Sequence, residues 1–151
     1  MTRIAFALLL GLAACPANGP ADAGSPEPTG AVAAGDVKLE FSARVVESGT
    51  PSRAGVTAEG GAGRIVVRGQ LDTPNPCQRV SATVGGGGRE LTLRVESART
   101  GDMCVASIAN FTYDATLTGL AAGTYRLRVV HVFPETGWET PTALDQSVLV
   151  R

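Results

Sequence analysis

Lysine is almost missing from this chain: Lys38 stands alone beside twelve arginines. Net charge is −1, and no run of like charge occurs anywhere. This excludes the electrostatic footprint of a nucleic-acid binder and gives no pull toward an acidic partner. Histidine occurs once, at His131, and no CxxC or HxxxH spacing is present. Metal ligation therefore lacks its usual donor sets, and His131, without a nearby cysteine or a second histidine, has no triad logic. The Gly85–Gly88 run is not a phosphate cradle, because no helix follows it and it lacks the Lys-Ser/Thr partner. No catalytic residue, metal or cofactor is expected. Tryptophan also occurs once, at Trp138, and aromatic residues make up only 5% of the chain. No apolar run reaches the roughly 20 residues needed to span a bilayer.

What is present begins at the N-terminus. Met1-Thr2-Arg3 places a positive charge ahead of the apolar run Ile4–Ala14, which ends in Leu12-Ala13-Ala14-Cys15. A short apolar segment with small residues before its end is the pattern of an export signal. Leu-Ala-Ala-Cys resembles the lipobox of bacterial lipoproteins. The resemblance implies that residues 1–14 are removed and that Cys15 carries the lipid. The mature chain would then be anchored to a membrane of the bacterial cell envelope, which of the two membranes remaining open. Removing Cys15 from the count leaves Cys77 and Cys104. In an oxidising compartment a disulfide is the default for such a pair.

Residues 15–35 read as a tether. Pro16, Pro20, Pro26 and Pro28 interrupt any helix, and the segment lacks the bulky apolar side chains needed for a core. From Asp36 to Arg151 the period changes to two. Val37, Leu39, Phe41, Ala43 and Val45 share one face of a first expected strand. Further strands are expected at 64–71, 77–84, 89–97, 104–117, 124–133 and 144–151. A phase slip near Ile108–Asn110 suggests a bulge in the fifth. The Gly-rich segment 48–63 reads as a long, disordered loop, and Gly85–Gly88 as a turn. Seven short half-buried strands without a helical period indicate a single all-β domain over 36–151, an antiparallel seven-stranded β-sandwich.

Leu120-Ala121-Ala122-Gly123-Thr124-Tyr125 resembles the corner before the sixth strand of immunoglobulin-like and fibronectin type III domains. The resemblance implies an immunoglobulin-like sandwich in which the Tyr125 hydroxyl bonds back to the preceding loop, forming a tyrosine corner. The chain departs from that family in having no tryptophan on its third strand and no disulfide between the second and sixth. A prealbumin-like or other seven-stranded sandwich stays open.

Alternating strand direction places Cys77 and Cys104 at one end of the sandwich. The turns at 72–76 and 98–103 and the loop 134–142 belong to the same end. Trp138 lies on that loop and reads either as a ring folded back over the sandwich edge or as the candidate binding residue, an aromatic anchor for a protein or a sugar. The same alternation starts the first strand at the disulfide end, so the tether would leave beside Trp138 and turn it toward the membrane. His131 is in phase with Tyr125, Leu127 and Val129 and reads as a buried, hydrogen-bonded histidine. Asp114 and Glu96 read as isolated, solvated carboxylates. The function expected is that of a non-catalytic binding or assembly module anchored to the envelope, with an envelope protein as partner. A space-filling accessory subunit of an envelope complex and a glycan-binding module are the alternatives.

Overall fold

The computed structural model describes residues 32–33, 36–46, 55–101, 103–134 and 136–151. Cys15, the signal 1–14 and most of the tether expected over 15–35 lie outside the described residues. Among those described, nine strands form two sheets: β1 (Val32–Ala33), β2 (Lys38–Val46), β3 (Thr57–Gly61), β4 (Arg64–Thr73), β5 (Gln78–Gly88), β6 (Glu90–Arg99), β7 (Ala109–Thr118), β8 (Gly123–Val132) and β9 (Thr142–Val150). One sheet has the order β1-β5-β6-β8-β9, the other β2-β7-β4-β3. The chain folds as a β-sandwich because its period-two faces have one place to be buried, against each other. Ile65, Val67 and Leu71 of β4 and Phe111, Tyr113, Ala115 and Leu117 of β7 meet Leu91, Leu93 and Val95 of β6 and Tyr125, Leu127 and Val129 of β8.

Three features differ from the expected seven-stranded antiparallel sandwich. Two short strands are added, β1 within the tether and β3 within the Gly-rich segment. The pair β6–β8 is parallel, Glu90 facing Arg126 and Glu96 facing Val132. The chain leaves β6 at one end, crosses to the other sheet, runs back as β7 and returns as β8, so the two neighbours point the same way. The strand order also departs from the immunoglobulin arrangement. There the first strand pairs with the second and the fourth lies beside the fifth. Here β2 pairs with β7, and β6 lies in the opposite sheet between β5 and β8.

The added β3 reverses the chain entry. β2 and β4 both pair antiparallel with β7, Lys38 and Arg64 each facing Thr118, so they run in the same direction. The strand inserted between them, β3, supplies the extra reversal. β2 therefore starts at the end opposite the disulfide. Val32 and Ala33 lie at that end too, paired with Gly88 and Gly87. The expectation that the tether leaves beside Trp138 is thus overturned.

Glycines let the backbones approach at the points where the topology is tightest. A Cβ on Gly60 of β3 would lie 1.9 Å from the Leu149 carbonyl oxygen of β9, so the two sheets close against each other there. Gln146 Nε2 donates to the Ala58 carbonyl across the same seam at 2.9 Å. Gly85–Gly88 is not a separate turn, since β5 runs through it. Gly86 and Gly88 hold positive φ as the chain swings into β6. Asp114 and Glu96 are not isolated: they pair with Arg68 at 3.4 Å and Arg94 at 3.0 Å on the solvent faces.

Candidate functional site

The two ends of the sandwich are built differently. At the chain-entry end the Tyr125 ring is completely buried, and its hydroxyl donates to the Ala121 carbonyl at 3.1 Å. Arg89 closes over it, with its guanidinium carbon 4.7 Å from the ring centroid. The same guanidinium donates to the carbonyls of Ala121 at 3.3 Å and Ala122 at 2.9 Å. Gly123, at φ 141°, leaves room for it, since a Cβ there would meet the guanidinium at 2.4 Å. A buried aromatic whose polar atoms and neighbours are all engaged holds the corner rigid and leaves nothing to offer a ligand.

At the other end Cys77 and Cys104 are bonded, with Cα atoms 6.0 Å apart. Cys104 lies in the loop before β7 and not in that strand, which begins at Ala109. The start of β7 there, with Ala109, Asn110 and Phe111 all buried, accounts for the phase slip in the sequence. The β4–β5 turn is held by a polar network. Asn75 Oδ1 accepts from the Cys77 amide at 3.1 Å and from Gln78 Nε2 at 3.0 Å, while Gln78 Oε1 accepts from Ser97 at 3.1 Å. Buried Thr73 donates to the Asn75 carbonyl at 2.8 Å.

Between the last residues of β4 and the β8–β9 loop lies a cleft of about 530 Å³. Leu71 and Asp72 of β4 form one wall. Phe133, Trp138 and Pro141 form the other, with Glu139 beside Trp138 and His131 among the lining residues. The Trp138 ring meets Phe133 at 5.3 Å with planes inclined by 62°, yet remains 40% exposed. It is both packed and presented. Its amide donates to Thr136 Oγ1 at 3.1 Å, and Thr136 in turn donates to the Phe133 carbonyl at 3.0 Å, which fixes the loop beneath the ring.

His131 is 7% exposed, and its Nε2 is hydrogen-bonded to the Tyr113 hydroxyl at 2.9 Å. Burial pulls its pKa down to about 4 and pushes that of the Tyr113 phenol above its ordinary value. Both groups are neutral at pH 7. Tyr113 reaches His131 because its partner across the sheet is Gly69: a Cβ at that position would lie 2.4 Å from the phenol oxygen. Asn110 Nδ2 donates to Asp72 Oδ1 at the cleft wall. No group of three or more His, Cys, Asp or Glu side chains gathers in a metal-binding arrangement among the described residues.

Several large apolar side chains are exposed at this end of the sandwich. Val45, Val46, Met103, Val105 and Ile108 are exposed and, like Trp138, belong to the disulfide end. Val45 is in phase with the inward residues of β2, so the sandwich is open at this corner.

Of the residues singled out from sequence, Trp138, His131, Cys77 and Cys104 meet at one end, and Tyr125 stands at the other. Asp72, Phe133 and Glu139 were not foreseen as cleft residues. They come from β4 and from the segment between β8 and β9, and no local pattern links them.

Residues 65–136 match the family model of the ORF11 beta-sandwich domain. The matched stretch covers most of β4, the whole of β5 to β8 and the disulfide, and it stops just short of Trp138. Neither a curated protein nor a solved structure matches the chain.

Proposed function

We propose that this chain is a lipid-anchored lipoprotein of the bacterial envelope whose β-sandwich is a non-catalytic module for binding or assembling protein partners. The observation that carries the binding reading is the concentration of exposed apolar side chains and an aromatic-walled cleft at one end of the domain. Contiguous apolar surface rimmed by polar groups is the usual mark of an interaction site, and a half-exposed tryptophan over a cleft is a typical anchor. The anchoring reading rests on Leu12-Ala13-Ala14-Cys15 and on the pairing of the two other cysteines. The readings fit together sterically. A chain tethered through Cys15 enters the sandwich at the Tyr125 end, so the cleft is displayed away from the bilayer.

Crosslinking of the tagged full-length protein in its own envelope, with recovery under denaturing conditions, tests the binding reading. A protein recovered with the wild type and lost with Trp138→Ala is the expected result. Recovery of the same proteins by both forms would favour the accessory-subunit reading, and recovery of nothing by either form would favour a glycan ligand. Metabolic labelling with an alkyne fatty acid tests the anchor: label is expected on the wild type and not on Cys15→Ala.

A further inference from the structure

The composition of the cleft narrows the partner's chemistry. Among the described residues its lining includes two carboxylates, Asp72, which also accepts from Asn110, and Glu139, and no lysine or arginine. Its one basic ring among the described residues, His131, is held neutral by burial, and its Nε2 is already engaged with the Tyr113 hydroxyl. The Phe133 and Trp138 rings meet at a steep angle, so the cleft has aromatic surface next to negative charge. Aromatic faces and carboxylates both attract a cation, and a cation with an alkyl stem also gains from the apolar surface of Phe133 and Pro141. Outside the cleft, the exposed Val45, Val46 and Ile108 favour apolar neighbours on the bound segment. Resting on the binding-module reading above, we infer that the cleft receives an arginine or lysine side chain of a protein partner, set between apolar residues.

Trp138 is the sole tryptophan, so its fluorescence reports the cleft directly. The full-length protein is titrated with three probes, Ac-Leu-Arg-Leu-amide, Ac-Leu-Gln-Leu-amide and Ac-Leu-Glu-Leu-amide, and separately with phosphocholine. A saturable change with the arginine peptide is expected, roughly fivefold tighter than with the glutamine peptide, and none with the glutamate peptide. Glu139→Gln changes an exposed side chain and leaves the fold intact. It is expected to reduce the arginine preference roughly threefold. Equal affinity for the arginine and glutamine peptides overturns the cation assignment while leaving the binding-module reading in place. Silence toward all the peptides overturns the inference, and the crosslinking experiment then decides the module reading by itself. Saturation by phosphocholine without response to any peptide overturns the protein source and moves the cation to a lipid headgroup.

Discussion

Tyr125 and His131 are both buried on β8, and they respond to different perturbations. The Tyr125 hydroxyl satisfies a carbonyl of its own corner, so Tyr125→Phe removes one hydrogen bond and leaves the ring packing unchanged. A loss of about 1 kcal/mol is expected, read from the denaturation midpoint. His131 couples the fold to pH. Its folded pKa, about 4, lies below the ordinary 6.5. Between those values the unfolded chain binds the proton and the folded chain does not, so the unfolded state gains as pH falls. Stability from this group is complete above pH 6.5 and declines progressively down to about pH 4, by on the order of 3 kcal/mol at most. Unfolding free energies measured at pH 7 and pH 4.5 should therefore differ less in His131→Gln than in the wild type. An identical pH dependence in the two proteins would mean that the histidine is hydrated in solution.

Among the elements, β3 changes the most. Its composition, Thr57-Ala-Glu-Gly-Gly61, carries almost no apolar signal, and the strand exists because β4 offers it an edge and β9 closes over it. The glycines record this dependence. Gly60→Ala drives a methyl group into the Leu149 carbonyl, with an expected cost of about 1–3 kcal/mol. Gly85→Ala, where nothing lies within 4 Å of the new atom, is expected to stay within about 0.5 kcal/mol of wild type. Equal costs at the two positions would show that the β3–β9 seam opens in solution. The disulfide belongs to the same scale. It joins the start of β5 to the loop before β7 across 27 residues, and its removal by Cys77→Ser is expected to cost roughly 3 kcal/mol, with a free thiol appearing at Cys104. The strands with strict alternation, β4, β6 and β8, were legible in the sequence within a few residues of their ends. The same signal failed for β1, which is two residues long, and for β3, whose sequence carries almost no apolar side chain.

For the whole molecule the decisive quantity is polarity. With seven alternating strands, chain entry and Trp138 fall at the same end. With β3 added, they fall at opposite ends, and an anchored domain presents its cleft outward. If the chain is lipid-anchored as proposed, its Trp138 fluorescence in vesicles containing brominated acyl chains is expected to match that in unbrominated vesicles. Strong quenching would place the cleft against the bilayer.

The sequence by itself determined what local chemistry can encode. Period-two apolar patterning gives each strand one face to bury and hence a sandwich, the corner sequence sets a tyrosine over its own loop, and three cysteines admit one intrachain pair. The tertiary structure alone decided which strands are neighbours, and with that the parallel β6–β8 pair, the direction of chain entry and the meeting of Asp72, Phe133, Trp138 and Glu139. The reason is physical. Alternation specifies which face of a strand is buried, but any apolar face can bury any other. Strand order depends instead on close approaches such as Gly60 against Leu149 and Gly69 beneath Tyr113, whose partners are distant in the chain.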